Sequence, residues 1–303
     1  MHLSQFNRGS RYAIPDRILA MRFAARLADL DTVVFPKLPG PREFSTIVRR
    51  VRRANGSGPK LIFVTPYRPR DLWGREIPAV YSENIDRIIV QDASFAEELF
   101  SGGYRRHVDV IPYVPPAVPI ALADFPGVPG DPVKIGFLGR FEPQKNVTYL
   151  IDVLSNVKRQ FELHLFGDGS QRQELEAFAA AKRVPAVFHG PVFDGAKWQA
   201  IESCHFFVNT SVSEGQCLVA LEVLSRGRPF VATPVGAIPG ILGDDRLGVL
   251  LPLDNAFGAA KRVDQVVEGF VKQRWAPRQI AEAYRCRFPR QESIERYLDI
   301  LVG

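Results

Sequence analysis

The run Val133-Lys-Ile-Gly-Phe-Leu-Gly-Arg-Phe-Glu-Pro-Gln-Lys-Asn146 is the most informative stretch of the chain. Val133 to Leu138 is a short apolar run and predicts a buried strand. Gly139 ends it and permits close backbone approach. A loop with Arg140 and Lys145 follows, and Asn146 is placed to cap a helix expected over Val147 to Val157. The alternation continues downstream. Strands are expected at Phe161–Phe166, Ala186–His189, His205–Asn209, Phe230–Thr233 and Val249–Leu251. Helices are expected at Gln171–Ala181, Ala196–Glu202 and Leu218–Arg226, the last stopped by Gly227 with Pro229 just beyond. Strands alternating with helices imply a parallel sheet covered on both faces. Ligands of such sheets sit beyond the carboxyl ends of the strands.

Upstream, Ile111 to Pro132 crowds seven prolines and two glycines into one stretch. It excludes a helix or a central strand and reads as a semi-rigid linker. Before it come an expected helix at Asp16–Leu30, a strand at Thr32–Phe35, a helix at Arg42–Ala54 and a strand at Leu61–Val64. Strands at Ile88–Val90 and Val108–Ile111 flank a helix near Phe95. This is a smaller parallel-sheet domain with no obvious strand ahead of its first helix. Pro277–Val302 is helical and is expected to cross back to it. The expected fold class is α/β, with a short N-terminal domain over 1–125 and a C-terminal domain over 126–303.

The 303 residues are 46% hydrophobic and 24% charged, with a net charge of +6, which excludes disordered, collagen-like and coiled-coil chains. Cys204, Cys217 and Cys286 are too dispersed for a disulfide framework or a zinc knuckle, so a reducing compartment is expected. No apolar run has the length of a membrane span, and the N-terminus has no apolar signal core. A cytoplasmic protein is expected, and the glycosylation triplets at Asn55, Asn146 and Asn209 read as chance. The basic excess suits polyanions. Neither zinc spacing nor an RNA-binding signature occurs, so nucleic acid is not expected as a partner. Arg49, Arg50, Arg52 and Arg53 alternate with Ile47, Val48 and Val51. Two readings stay open: a solvated helix face, or peripheral contact with anionic lipid.

Four constellations lie at expected strand ends. In Ser213-Glu-Gly-Gln-Cys-Leu-Val-Ala-Leu-Glu222, Glu214 lies in a loop and Glu222 inside the helix that the loop opens. The start of that helix offers unpaired N–H groups to a phosphate, and acids beside a phosphate site suit a hydroxylated group such as a ribose or sugar. The plain alternative is an acidic helix start. In the 139–146 loop, Arg140 offers a donor fork and Lys145 a mobile charge, a pair suited to a diphosphate; the alternative is a solvated basic loop. Phe166-Gly-Asp-Gly169 makes a tight strand-to-helix turn. Phe188-His189-Gly190-Pro191-Val192 offers backbone groups to a planar base, although His189 also reads as an ordinary strand-end histidine. Neither the dinucleotide-binding glycine fingerprint nor a P-loop occurs.

Together, in this order, these motifs resemble family 4 (group 1) retaining glycosyltransferases of the GT-B fold over residues 133–303. Arg228-Pro-Phe-Val-Ala-Thr-Pro-Val-Gly-Ala-Ile-Pro-Gly240 extends the match, and Ile88–Ser94 and Val110–Pro112 echo it more weakly. The resemblance implies two Rossmann-like domains facing a cleft. It implies transfer of a sugar from a nucleotide-diphosphate sugar to an acceptor hydroxyl in glycan, polysaccharide or glycolipid assembly, with retention. The nucleotide sugar is a co-substrate; no cofactor and no metal are implied. Arg140, Lys145 and Glu214 would be catalytic. Gly139, His189, Gly190, Val192, Gln216, Cys217, Leu218, Val219 and Glu222 would bind the donor. The acceptor would be a glycan, a lipid-linked group or a small molecule. Rival readings are a nucleotide-sugar-binding protein without transfer, or a GT-B phosphorylase or epimerase. The chain departs from the family in three places. Gly215-Gln216-Cys217-Leu218-Val219 stands where Gly-Phe-Gly-Leu-Pro is usual, Tyr113-Val114 replaces Asn-Gly, and no N-terminal glycine-rich loop or catalytic histidine is recognisable. Asp29-Leu-Asp31 is discounted as a metal motif because it ends a helix.

Overall fold

The computed structural model describes residues 32–52, 58–113, 116–127 and 131–302. The expected Asp16–Leu30 helix, the Asp29–Asp31 triplet, Arg53 and the Asn55 triplet lie outside the described residues. The chain divides into two compact units. One runs to Ile111 and takes in the last residues from Leu298; the other is Pro112–Tyr297.

The first unit holds a parallel sheet in the order β1-β2-β3-β4. Its strands are Thr32–Phe35, Lys60–Val64, Arg87–Val90 and His107–Val110. Helix α1 (Pro41–Val51) follows β1. The short helices α2 (Pro69–Trp73) and α3 (Ala79–Ser82) follow β2, and α4 (Ala93–Ser101) follows β3. Asp92 caps α4 by accepting from the Ser94 N–H at 2.9 Å. Helix α1 commits Phe44, Ile47, Val48 and Val51 to the core. Its apolar face is therefore not available to a membrane. Arg49 and Arg50 remain exposed, while Arg52 pairs with Asp86.

The second unit holds a six-stranded parallel sheet in the order β10-β9-β8-β5-β6-β7. The strands are β5 Val133–Leu138, β6 Phe161–Phe166, β7 Ala186–Gly190, β8 Phe206–Asn209, β9 Phe230–Ala232 and β10 Gly248–Leu250. The helices between them are α5 Val147–Leu154, α6 Arg172–Ala181, α7 Asp194–Glu202, α8 Leu218–Ser225 and α9 Ile238–Ile241. Then follow α10 Ala256–Val271, α11 Pro277–Arg287 and α12 Arg290–Val302, whose residues from Leu298 on group with the first unit. Strand β8 is buried at every position, as an apolar run inside a parallel sheet should be. On one face Phe137, Leu150, Leu165, Phe206, Val208 and Val263 join a single core cluster under α5, α6 and α10. Strand β5 lies between β6 and β8, so the chain order reverses there. The ends of β5 and β8 therefore flank the crevice in which doubly wound sheets bind ligands.

Two local expectations need correction, and one long helix was not expected. Asn146 stands at the start of α5 but makes no side-chain cap, because its backbone is left-handed (φ 49°). The single helix expected over Pro277–Val302 is two, interrupted at Phe288 and Pro289, since proline lacks the N–H and turns its predecessor out of the helical region. Helix α10 has no counterpart among the expected elements. Asn255 caps it by accepting from the Gly258 N–H at 2.8 Å.

The described part of the proline-rich stretch is clamped to the second unit. Arg228 is fully buried and donates to the carbonyls of Ala123 (3.0 Å), Asp124 (2.7 Å) and Glu202 (3.0 Å). Its guanidinium carbon lies 4.9 Å from the Phe125 ring centroid, and Phe125 stacks on His205. Tyr284 donates to the Pro116 carbonyl at 3.3 Å. Among the described residues no helix is long and apolar enough to cross a membrane.

Candidate active site

The loop after β5 and the loop after β8 are laced together at the strand-order reversal. The Val212 N–H donates to the Gln144 carbonyl at 3.0 Å, and the Gln144 amide donates to the Ser213 carbonyl at 2.8 Å. The Thr210 hydroxyl donates to the Asn146 carbonyl at 3.0 Å. This lacing brings Lys145 and Glu214 together, 69 residues apart in sequence, with Nζ 2.6 Å from Oε1. Asn209 Nδ2 (3.0 Å) and the Ser211 hydroxyl (2.7 Å) donate to the same carboxylate oxygen. The Ser211 N–H in turn fixes the Asn209 amide at 2.8 Å. Glu214 is 6% exposed, and a buried carboxylate needs such partners. Lys145 is thus already matched to an acid. Asn209, which opens one of the glycosylation triplets, is buried and committed to this network.

Glycines allow this close packing at two points. A Cβ on Gly167 would lie 1.8 Å from the Gly139 carbonyl oxygen, so the turn after β6 sits directly on the start of the 139–146 loop. A Cβ on Gly236 (φ +58°) would lie 2.2 Å from the Glu214 carbonyl oxygen. The Ala237 N–H donates to the Gly215 carbonyl at 3.0 Å, holding the acid-bearing loop from the other side.

Cys217 starts α8 in a left-handed conformation (φ 59°, ψ 69°). It is 7% exposed, and burial, with Glu214 nearby, pushes its thiol up to about 12. The thiol lies 3.6 Å from Asn209 Nδ2. Gln216 is buried, and its side-chain oxygen accepts from the Tyr113 N–H at 3.2 Å. Leu218 and Val219 form the first turn of α8, where N–H groups lack helical partners. Glu222, one turn further on, pairs with Lys197 of α7 at 2.6 Å.

Arg140 is exposed at the loop tip. The neighbouring Glu142 accepts from the Ser170 hydroxyl (2.8 Å) and N–H (3.2 Å), which hold its carboxyl below the usual range. His189 lies in β7, two strands from β5. It stacks on Phe166 (centroids 4.6 Å apart) and on His164 (5.2 Å), with a 2.9 Å contact between His164 Nδ1 and His189 Nε2. Burial lowers the affinity of both imidazoles for protons. Gly190 is left-handed (φ 81°), and its carbonyl accepts from the Gly167 N–H at 2.8 Å; Val192 is half-buried.

The structure joins Lys145 and Glu214 directly, links Cys217 to Glu214 through Asn209, and sets Gly139 against Gly167. It adds Asn209, Ser211, Gln144 and Lys197, which motif reading missed. Asn209 and Ser211 flank the acidic run and could have been suspected as polar residues at a strand end. Nothing in the spacing of Lys197 points to Glu222. Among the described residues no group of three or more His, Cys, Asp or Glu is arranged to hold a metal. In the first unit, a groove of about 790 Å³ beyond β1 and β2 is lined by Lys37, Phe63, Tyr67, Leu72, Trp73, Tyr81 and several prolines.

Residues 132–268 match the family model of the group 1 glycosyl transferases. The Arabidopsis thaliana sulfoquinovosyl transferase SQD2 is 34% identical over 122 residues, 40% of this chain and 23% of that protein. The phosphatidyl-myo-inositol mannosyltransferase of Mycolicibacterium smegmatis is 29% identical over 164 residues, 51% of this chain and 42% of that protein. The chain spans less than half the length of these relatives. Anabaena HepE, solved in complex with UDP, superposes with a TM-score of 0.75 at 15% identity, over 94% of this chain and 82% of that one. The stretch 132–268 is thus similar to a group 1 glycosyltransferase domain, within a chain whose two parallel sheets match the GT-B fold.

Proposed function

We infer that the protein is a retaining glycosyltransferase that moves a sugar from a nucleotide-diphosphate sugar to an acceptor hydroxyl. The observation that carries this reading is the Lys145–Glu214–Asn209–Ser211 network, set between the ends of β5 and β8 beside the start of α8. In this reading the diphosphate lies against Arg140, Lys145 and the first N–H groups of α8. Positive groups fixed before the reaction stabilise the charge that grows on the leaving oxygen. Glu214 accepts from hydroxyls of the transferred sugar, and Glu222 from the ribose. Gly190 and Val192 border the base. The acceptor oxygen attacks on the face the diphosphate leaves. The glycosidic C–O bond breaks, the new one forms, and the acceptor proton passes to the leaving phosphate oxygen. In this reading Arg140, Lys145 and the helix start are the groups that face the leaving diphosphate, and no metal is part of it.

The altered loop does not by itself argue for a donor-binding protein without transfer. Cys217 takes a left-handed backbone, a conformation that glycine adopts most readily. We assign the acceptor to the first unit, where the groove lined by Tyr67, Trp73 and Tyr81 suits a sugar ring or a lipid-linked group. Any contact with an anionic membrane would rest on the charges of Arg49 and Arg50.

The test is nucleotide release from a panel of nucleotide sugars with and without sugar and lipid-linked acceptors. The Arg140→Ala/Lys145→Ala double variant should lose about a hundredfold or more in turnover. Full activity in that variant refutes the assignment. Saturable donor binding with neither release nor product identifies a binding protein instead.

A further inference from the structure

Each acid of the 214–222 run has its own lysine at the same distance. Lys145 Nζ lies 2.6 Å from Glu214 Oε1, and Lys197 Nζ lies 2.6 Å from Glu222 Oε1. Lys197 comes from α7 and Glu222 from α8, 25 residues apart. Both side chains are mostly withdrawn from water, 25% and 19% exposed. Lys197 is held in place by its neighbour: Nζ lies 4.6 Å from the Trp198 ring centroid, and the Arg226 guanidinium carbon lies 4.3 Å from the same ring. A two-cation aromatic contact of this kind fixes the lysine stem and limits where its amine can point.

Resting on the transferase reading above, the geometry points to Lys197 as the residue that positions Glu222 for the donor's ribose. A carboxylate that grips a diol has to stay ionised and hold one orientation. Lys197 does both by engaging Oε1, which leaves the other oxygen to accept from the 2′ and 3′ hydroxyls. The lysine also cancels an anion that would otherwise oppose the diphosphate. The site is then two matched ion pairs, Lys145–Glu214 toward the sugar and Lys197–Glu222 toward the nucleoside. Each presents a charge-compensated acceptor to hydroxyls. The rival is that Lys197 merely ties α7 to α8. A tie would change stability and affect all ligands equally; a positioning residue changes discrimination between ribose and deoxyribose.

The experiment measures binding of UDP, GDP and their 2′-deoxy counterparts to the full chain by calorimetry, with thermal melts alongside. Wild type should favour the ribonucleotide by about tenfold or more, the scale of one charge-assisted hydrogen bond. Lys197→Met should weaken ribonucleotide binding by about tenfold and bring the ribo-to-deoxy ratio near one. Lys197→Arg should restore most of the ratio, and Glu222→Gln should lose it. An unchanged ratio in Lys197→Met, with or without a lower melting temperature, overturns the inference. If wild type still releases nucleotide in the panel assay, the transferase reading survives that result. Failure of wild type to bind either diphosphate overturns both.

Discussion

Truncating Cys217 and Cys204 to alanine and to glycine should give opposite lessons at two buried cysteines. Cys204 is fully buried, and its φ is not positive. There glycine should fall below alanine by about 1–2 kcal/mol, through chain entropy and one lost buried methyl. Cys217 is likewise buried, 7% exposed, but its φ is 59°. A Cβ in that conformation crowds the following carbonyl and costs roughly 1–2 kcal/mol, which glycine avoids. The two terms nearly cancel, so Cys217→Gly and Cys217→Ala should match within about 0.5 kcal/mol. The quantity of interest is the difference between the two differences, about 1–2 kcal/mol, which removes the shared loss of each sulfur. Urea denaturation followed by tryptophan fluorescence reads it, since Trp198 and Trp275 both lie in the unit that holds the cysteines. In melting temperature it amounts to about 2–8 °C for a unit of this size. If glycine falls below alanine by the same amount at both sites, the left-handed start of α8 is wrong. The argument that Cys217 preserves the loop's shape would fall with it.

Arg228→Ala should destabilise the second unit by about 3–5 kcal/mol in calorimetry, because it opens a void and strands the carbonyls of Ala123, Asp124 and Glu202; a loss under about 1 kcal/mol would contradict the clamp. His205 should make the second unit acid-sensitive. Burial, then Arg228 and Lys134, lower its pKa from 6.5 to about 4, and its Nδ1 accepts from the Lys134 N–H at 3.0 Å. The unfolded chain takes up the proton first, so this stability is present above pH 6.5 and is lost as pH falls toward 4. A His205→Asn variant, which keeps an acceptor, should show a flatter stability profile over that window, and an unchanged profile would count against the assignment.

Much of the second sheet was legible because its signals are local. Val133–Leu138 is a largely apolar run and Phe161–Phe166 alternates apolar with polar residues; each is followed by glycine, and both are strands over those same residues. Gly227 stops α8 in a left-handed conformation (φ 68°), and a Cβ there would collide with Pro277. Helix α10 was legible as well, since its buried Ala259, Ala260, Val263, Val266 and Val267 recur at helical spacing. Asn146 looked like a cap by residue type, but capping depends on backbone torsions that adjacent loops impose. The proline-rich stretch read as a linker by composition. Its attachment to the second unit depends on Arg228, more than 100 residues away.

The order of motifs along the chain was enough to define the alternating architecture and to single out Arg140, Lys145, Glu214 and Glu222, because glycine, proline and apolar periodicity act on near neighbours. Which lysine meets which acid, that Asn209 and Ser211 complete the Glu214 network, and that Cys217 takes a glycine's conformation were decided only in three dimensions. Those facts depend on strand order: β8 returns to lie beside β5, and only that crossover brings loops some 70 residues apart within hydrogen-bonding distance.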